Sequence, residues 1–351
     1  MLTLAGPPGP RTGEDQQDLG LVRRGAIAVK DGRILKVGTA AQLKGVKAEQ
    51  VLDAGGRVAM PGFVDAHTHV VFGGSREREV ELKAAGHSYQ AIAREGGGIL
   101  STVEATRKAS REALVAQAEA RLARMLLHGT TTAEAKSGYA LEPAGEVRLL
   151  EVIRDLGARQ PVTLVPTFLG AHAVPPGEDP DAFLKALVDE ALPAIAAGGL
   201  ARFCDVFVEQ GYFTVHQARR LLRAAAAQGL RAKVHADEFT RTGGAELAAE
   251  LGAASADHLL KASDRGLREL ARLKIPAVLC PATPWASMLK GYADARGMVA
   301  RGVPVALGTD LSPNAWCESM QLACQLGVYG MGLLPSAVSY THLTLPTTER
   351  V

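Results

Sequence analysis

The stretch PGFVDAHTHV, residues 61–70, places two histidines one residue apart at the end of an apolar run. Side chains at positions i and i+2 of a strand point the same way, so His67 and His69 can approach one metal ion from a single strand end. Pairs of this kind also occur in ordinary protein cores. The pair alone therefore leaves a metal site and a structural role open.

His235 and Asp310, at the ends of two other predicted strands, favour the metal site. Several ionisable groups that converge in one pocket are costly unless they are paired or bind an ion. Three imidazoles and one carboxylate suit zinc, and iron(II), manganese and nickel accept the same donors. Because such an ion lowers the pKa of a bound water from about 15.7 to about 7, hydrolysis is the expected reaction class.

Three more ionisable residues follow or end predicted strands. Glu238 is expected to move a proton between water and a leaving nitrogen, the alternative being an exposed loop carboxylate. His258 either stabilises an oxyanion or supports a neighbouring group through a hydrogen bond. Lys136 raises the alternative of a carbamylated lysine that bridges two ions, but a single ion is the simpler site.

The elements that position these residues are eight short apolar runs, separated by segments with helical periodicity, such as residues 104–127. Continuous apolar strands suit a parallel sheet that is buried on both faces. Eight such units predict an α/β fold, a (β/α)8 TIM-like barrel with its active site at the carboxyl ends of the strands. An open doubly wound sheet is disfavoured because GGGIL, residues 96–100, does not match its glycine-rich fingerprint. The predicted strands are residues 57–67, 131–137, 162–172, 203–209, 231–238, 254–259, 276–283 and 303–310.

A barrel of this type takes about 250 residues, which leaves about a hundred of the 351 for a second unit. Alternating apolar and polar residues around Asp31-Gly32 predict a β-hairpin. We expect residues 1–57 to be the N-terminal part of a small β-sandwich domain that is incomplete at the C-terminus, and residues 58–335 to be the barrel. Residues 336–351 have no helical period and are expected to be an aberrant tail that is not native sequence.

The composition limits the class of partner. Lys and Arg total 39 against 37 for Asp and Glu, without a long block of either sign, which argues against nucleic acid and an anionic membrane. A signal-peptide pattern and a run long enough to span a bilayer are both missing, which favours the cytoplasm. The four cysteines contain no CxxC pair and are expected to be free thiols. A small-molecule substrate is the expected partner.

Several longer motifs carry a family resemblance. GGSREREVELKAAG, GGGILSTV and KSGYALE, together with TFLGAHAVPP, KVHADEF, SADHL and GTDLSPNA, resemble the imidazolonepropionase family of the amidohydrolase superfamily. The match runs from about Gly25 to about Leu334. It implies hydrolysis of 4-imidazolone-5-propanoate to N-formimidoyl-L-glutamate in histidine degradation, by water activated on one zinc or iron ion, in a homodimer.

The resemblance also implies roles for individual residues. The implied metal ligands are His67, His69, His235 and Asp310. The implied substrate contacts are Arg76, Tyr139, His172 and Glu238, and the catalytic groups are Glu238, His258 and Asp310. The planar guanidinium of Arg76 suits a propionate carboxylate, which agrees with its implied role.

The chain departs from the family pattern in two places. Many members have Asn-Pro-Gly-Ser after the aspartate, whereas this chain has Ser312-Pro313-Asn314-Ala315. We still expect substrate contacts from Ser312, Asn314 and Ala315, because Asn tolerates the turn conformations that Gly adopts. The family normally continues with a helix and strands that complete the small domain, and these are not recognised here. The alternatives are another cyclic-amide hydrolase or heterocycle aminohydrolase of the superfamily, and a non-catalytic barrel scaffold.

Overall fold

The computed structural model describes residues 1–6, 9–87, 91–92 and 95–341, with side chains up to residue 338. Its main feature is an eight-stranded parallel sheet whose strands follow one another in chain order. The strands are β3 (Phe63–Asp65), β4 (Thr130–Lys136), β5 (Thr163–Ala171), β6 (Phe203–Val208), β7 (Arg231–Ala236), β8 (Ser255–His258), β9 (Ala277–Leu279) and β10 (Val305–Leu307). The predicted (β/α)8 barrel is therefore confirmed, and each of the eight predicted runs overlaps a strand.

Backbone hydrogen bonds close the sheet between its first and last strands. Just beyond β3 and β10, the N–H of Asp310 donates to His67 O at 2.9 Å, and the N–H of His69 donates to Leu311 O at 2.8 Å. Thr68 and Leu311 form a parallel bridge at the same place. This contact, which we call the seam, brings the two ends of the barrel sequence side by side.

Helices alternate with the strands and cover the barrel. They are α1 (Ala40–Leu43), α2 (Arg78–Ala84), α3 (Ile99–Lys108), α4 (Arg111–Leu127), α5 (Pro143–Gly157), α6 (Pro180–Ala186), α7 (Leu192–Gly198), α8 (Val215–Ala227), α9 (Gly244–Glu250), α10 (Asp264–Leu273), α11 (Ala282–Ala286), α12 (Ala295–Ala300), α13 (Met320–Tyr329) and α14 (Pro335–Thr341), with a 3₁₀ turn at Gly13–Gln17 and a π-helical turn at Leu187–Ala191. The core lies between helices and strands, and all six residues of β6 are buried. None of the helices in the described ranges has both the length and the apolar character needed to cross a membrane.

A separate two-stranded sheet precedes the barrel. Strands β1 (Gly25–Lys30) and β2 (Arg33–Thr39) pair antiparallel through a tight turn at Asp31 and Gly32, whose φ values are 52° and 72°. Positive φ at both turn residues is typical of the predicted hairpin. Both strands are largely exposed. The β-sandwich itself stays a prediction.

Two local expectations differ from the structure. Residues 104–127 have one continuous helical pattern, but Ala109 adopts extended ψ of 138° and Ser110 caps α4 by accepting a hydrogen bond from the Ala113 N–H. Local capping therefore divides the pattern into two helices. The tail begins with a helix, α14, in which Ala337 and Val338 are buried. Residues 342–351 of the expected aberrant tail lie outside the described residues.

Candidate metal centre and active site

Four potential ligands meet at the carboxyl end of the barrel. His67 and His69 follow β3, His235 lies in β7 and Asp310 follows β10. One donor nitrogen from each of the three histidines lies within 4.8 Å of the others. Asp310 Oδ1 lies 3.6 Å from His67 Nε2 and 3.4 Å from His69 Nε2. The structure thus brings together the four residues expected to bind the metal.

The histidine nitrogens fit a metal ion. Nε2 of His67 and Nε2 of His235 are buried, and among the described residues neither has a hydrogen-bond partner. Burial lowers the pKa of His67 and His69 well below the ordinary histidine value, and the positive charge of Lys136 adds to the effect at His67. Neutral imidazole is the form that binds metals. Since unpartnered buried polar atoms are costly, a divalent ion is the partner that best satisfies this donor set.

Asp310 is held in a defined orientation. Thr283 Oγ1 donates to Asp310 Oδ2 at 2.5 Å, so Oδ1 is the oxygen that faces the histidines. The backbone of Asp310 has φ of 51°, and that of His258 has φ of 72°. Such values are uncommon outside glycine and concentrate at functional sites. Burial raises the pKa of Asp310 to about 6.

Glu238 and His258 face each other beside the ligands. Glu238 Oε2 lies 3.9 Å from His258 Nε2, and both side chains are buried. Burial raises the pKa of Glu238 well above the ordinary value, and two neighbouring carboxylates add to the effect. Glu209 holds the loop that carries Glu238, because it accepts hydrogen bonds from the N–H groups of Phe239 and Thr240 at 2.9 and 3.2 Å. A carboxyl group with a raised pKa suits both uptake and release of a proton.

A pocket opens above these groups. The expected site residues that line it are His69, Arg76, Tyr139, His172, His235, Glu238, His258, Asp310, Ser312 and Asn314. His67 is fully buried behind the surface of this pocket. Ala315 is also fully buried, and its N–H and C=O pair with the Oγ and N–H of Ser312 at 3.1 and 3.2 Å. Ala315 is not among the residues that line this pocket and its side chain shapes the loop, so its expected substrate contact stays a prediction.

Arg76 is held from one side by a residue that the sequence analysis missed. Its Nε and Nη2 donate to the two carboxylate oxygens of Glu79 at 2.9 and 2.7 Å. Glu79 also accepts a hydrogen bond from the Gly98 N–H at 2.7 Å, which ties α2 to the start of α3. Because this edge of the guanidinium is engaged, a substrate carboxylate would meet another edge. The i,i+3 spacing of Arg76 and Glu79 was the sequence signal that could have predicted this ion pair.

Tyr139 and His172 lie on neighbouring loops and contact each other. Their ring centroids are 5.2 Å apart, and His172 stacks on His69 at 5.0 Å. His172 Nδ1 lies 3.0 Å from the carbonyl oxygen of Gly138. Gly138 has φ of 110°, and a Cβ there would lie 3.0 Å from His172 Nδ1. A glycine is thus required next to Tyr139 both for its backbone conformation and for the close approach of His172.

Lys136 is engaged in ion pairs below the site. Its Nζ lies 2.6 Å from Asp205 Oδ2 and 2.9 Å from Glu134, and all three side chains are fully buried. These carboxylate partners suit an ammonium group, which favours a single-ion site over one bridged by a carbamylated lysine. The sequence alone predicts its partners Asp205 and Glu134 only weakly. A charged residue inside an otherwise apolar strand can face either an active site or a buried network of ion pairs.

Two other donor sets overlap the first. His67, His258 and Cys280 each offer one donor atom within 4.8 Å of the others, and so do His67, Glu134 and Asp257. All three sets share His67, and lysines hold the two carboxylates of the last set. In the set with His69 and His235, Asp310 Oδ1 lies within 3.6 Å of two of the histidines, and two members line the pocket.

Proteins of known name resemble this chain over most of its length. It is 46% identical over 351 residues to the imidazolonepropionase of Alkaliphilus metalliredigens, a match covering 98% of this chain and 83% of the relative. It is 48% identical over 344 residues to the imidazolonepropionase of Symbiobacterium thermophilum, a match covering 96% of this chain and 80% of that relative. It is 50% identical over 321 residues to that of Halobacterium salinarum, with 89% of this chain and 76% of that relative covered. The chain belongs to the imidazolonepropionase family. This membership identifies it as a metal-dependent hydrolase of the amidohydrolase superfamily.

Solved structures agree on the fold. A 5-methylcytosine deaminase from Klebsiella pneumoniae superposes with a TM-score of 0.65 at 18% identity, covering 88% of this chain and 78% of that one. A guanine deaminase from C. acetobutylicum superposes with a TM-score of 0.64 at 14% identity, covering 92% and 80%. At these identities the likeness extends to the barrel alone. No protein-family model matches the chain.

Proposed function

We propose that this chain hydrolyses the ring amide of 4-imidazolone-5-propanoate to N-formimidoyl-L-glutamate, a step of histidine degradation. The observation that carries the proposal is the convergence of His67, His69, His235 and Asp310 at the mouth of a barrel whose sequence is 46% identical to a named imidazolonepropionase. One water is consumed, the ring C–N bond breaks, and the ring nitrogen receives a proton.

These four residues are the proposed ligands of one divalent ion. When bound, such an ion lowers the pKa of water so that hydroxide is available near neutral pH, and it polarises a carbonyl. Zinc and iron are both compatible with three imidazoles and one carboxylate, and we propose one of them as the native metal.

Glu238 is the proposed proton carrier. It is buried at the pocket wall, 3.9 Å from His258, and burial together with nearby carboxylates favours its protonated form. The carboxylate takes a proton from the attacking water, and the resulting carboxylic acid delivers it to the departing ring nitrogen. His258 stabilises the charge that develops on the carbonyl oxygen by donating a hydrogen bond.

The remaining pocket residues are proposed to hold the substrate. Arg76 supplies a positive charge for the propionate, and Glu79 fixes its orientation. Tyr139 and His172 offer hydrogen bonds to the ring. Ser312 and Asn314 also line the pocket, and Asn314 Oδ1 accepts a hydrogen bond from Lys83 Nζ at 2.8 Å. A rigid, charged pocket suits a small anionic substrate.

The test is loss of the ultraviolet absorbance of 4-imidazolone-5-propanoate on addition of metal-loaded protein, with the product identified by mass. Rapid loss that stops after metal removal is the expected result. A folded, metal-loaded chain that leaves this substrate intact but opens a cyclic amide without a carboxylate would overturn the substrate assignment. A chain that binds no metal and acts on neither would favour a scaffold.

Three broader features are also proposals. The enzyme works as a homodimer in the cytoplasm. Residues 1–57 belong to a small β domain, 58–335 form the hydrolase barrel, and 336–351 are a tail that is not native sequence, although its first residues form part of helix α14. Light scattering of the purified chain tests the first of these features, since a monomer in solution at working concentration would contradict the dimer.

A further inference from the structure

Five charged side chains lie fully buried beneath the proposed metal site, and we call them the charge cluster. They are Glu134, Lys136, Asp205, Lys233 and Asp257. Two ammonium groups face three carboxylates, so the cluster has one formal negative charge in excess. Buried ion pairs add little stability compared with apolar residues of the same size, so a cluster of this size calls for a functional explanation.

The two lysines bind the carboxylates together. Lys233 Nζ lies 3.1 Å from Asp257 Oδ2 and 2.9 Å from Glu134 Oε1, and it donates to the carbonyl oxygen of Ala66 at 3.1 Å. Lys136 Nζ lies 2.6 Å from Asp205 and 3.8 Å from Asp257. Asp257 Oδ2 therefore has an ammonium group on each of two sides, which limits the movement of this carboxyl group.

Asp257 also contacts a proposed metal ligand directly. Its Oδ2 lies 2.7 Å from His67 Nδ1, and its Oδ1 accepts a hydrogen bond from Ser255 Oγ at 2.5 Å. Because the same oxygen also faces the ammonium groups of Lys233 and Lys136, it is the acceptor in this contact, and the proton of His67 then lies on Nδ1. His67 Nε2, the nitrogen that is buried without a hydrogen-bond partner among the described residues, is then left with its lone pair facing the site.

Asp205 has a similar place beside His235 but a less well-defined contact. Its Oδ2 lies 2.9 Å from His235 Nδ1, although the ring is not aligned for a hydrogen bond. Glu134 differs from both, since it accepts hydrogen bonds from Lys136 Nζ and, at 2.6 Å, from Thr167 Oγ1. The cluster thus contains one carboxylate that holds a ligand and one that serves the lysines.

We propose that Asp257 is a positioning residue for the metal ion, fixing His67 in the tautomer and orientation that present Nε2, while Lys233 and Lys136 hold Asp257 in place. This inference rests on the metal site proposed above. It assigns a role to the buried charges that the hydrolytic mechanism does not otherwise use.

The test measures Zn²⁺ affinity by competition with a chromophoric chelator, with no substrate present. Replacing a carboxylate that supports a ligand histidine typically weakens metal binding about 10- to 100-fold. We expect D257A to approach the upper end of this range. D257N should fall near the lower end, because its amide oxygen can still accept a hydrogen bond from His67 Nδ1. The visible spectrum of the Co²⁺-loaded protein should change in D257N, since the geometry of one ligand changes.

E134Q is the matched control, because it removes one negative charge from the same cluster without touching the hydrogen bond to His67. It should lower the melting temperature but leave Zn²⁺ affinity and the Co²⁺ spectrum close to those of the wild type. Equal loss of affinity in E134Q and the Asp257 variants would overturn the proposal, as would wild-type affinity in D257A. If D257A does not fold, D257N and its Co²⁺ spectrum decide. A wild-type chain without a bound ion would instead refute the metal site itself.

Discussion

At the scale of single residues, the proposed ligands could be predicted because each one follows or ends a strand. His67, His69, His235 and Asp310 are of types that bind metals, and parallel strands place their carboxyl ends together. Asp257 could not be assigned to His67 in this way, since 190 residues separate them and only the folded barrel creates the contact. Glu79 was not predicted for a different reason, because its spacing of three residues from Arg76 is equally typical of a surface salt bridge.

Replacing Glu238 by glutamine should lower kcat about 10²- to 10⁴-fold, the usual contribution of a general acid–base group. Burial raises the pKa of Glu238, so the carboxylate needed to accept a proton is lost as the pH falls through that raised value. The wild type should therefore lose activity on the acid side, and E238Q should lack this limb. Metal content measured in parallel should be unchanged. Activity of E238Q within tenfold of the wild type would contradict the role.

Replacing Arg76 by lysine should raise KM for the propionate substrate about 10- to 100-fold, because a charge-assisted hydrogen bond contributes roughly 1.5–3 kcal/mol. Lysine keeps the charge but cannot keep the paired contacts with Glu79. Steady-state kinetics on R76K, with a ring substrate lacking the carboxylate as control, measure the effect. An equal change in KM for both substrates would show that Arg76 does not bind the substrate carboxylate.

At the scale of elements, the loops after the strands were harder to predict than the strands. The residues after β4 contain Tyr139 and no turn motif that fixes their path. Glu146, on α5, accepts hydrogen bonds from the N–H groups of Gly138, Ala140 and Leu141 at 2.6, 2.8 and 2.9 Å. A helix carboxylate thus shapes the loop, and nothing in the local sequence distinguishes it from an exposed glutamate.

Replacing Glu146 by glutamine should raise KM several-fold and lower the melting temperature, because one amide oxygen cannot replace two carboxylate oxygens. Losing such charged hydrogen bonds costs about 1–3 kcal/mol. E142Q is the matched control, since Glu142 stands at the start of the same helix with a side chain that is 52% exposed. Enzyme kinetics and thermal unfolding should separate the two variants. Similar behaviour in both would show that the loop does not depend on Glu146.

At the scale of the whole molecule, the barrel could be predicted from repetition, since eight strand-and-helix units have few other ways to pack. The placement of the N-terminus could not. Residues 13–17 pack against the far end of the barrel, where Gln16 is fully buried and its Oε1 accepts a hydrogen bond from Val305. A short polar segment has no periodicity to predict such docking.

Limited digestion with trypsin should cut the segment between the hairpin and the barrel first. Residues 44–58 are all exposed and contain Lys44, Lys47 and Arg57. Exposed backbone of this kind is where nicking concentrates. Mass spectrometry of timed samples should detect cuts there while residues 58–341 stay intact. Earlier cleavage inside the barrel helices would contradict the assignment of this segment as the least protected part.

A metal ion bound at the proposed site would also affect the seam. His67 and Asp310 come from opposite ends of the barrel sequence and are joined there by one backbone hydrogen bond. An ion that binds both would connect two residues more than two hundred positions apart, and because it would bind only the folded chain, it would stabilise this contact. Chelation should therefore speed amide hydrogen exchange at His69 and Asp310, whose N–H groups donate across the seam, before it does so at the central strands. The ion proposed to activate water would thus also hold the first and last strands of the barrel together.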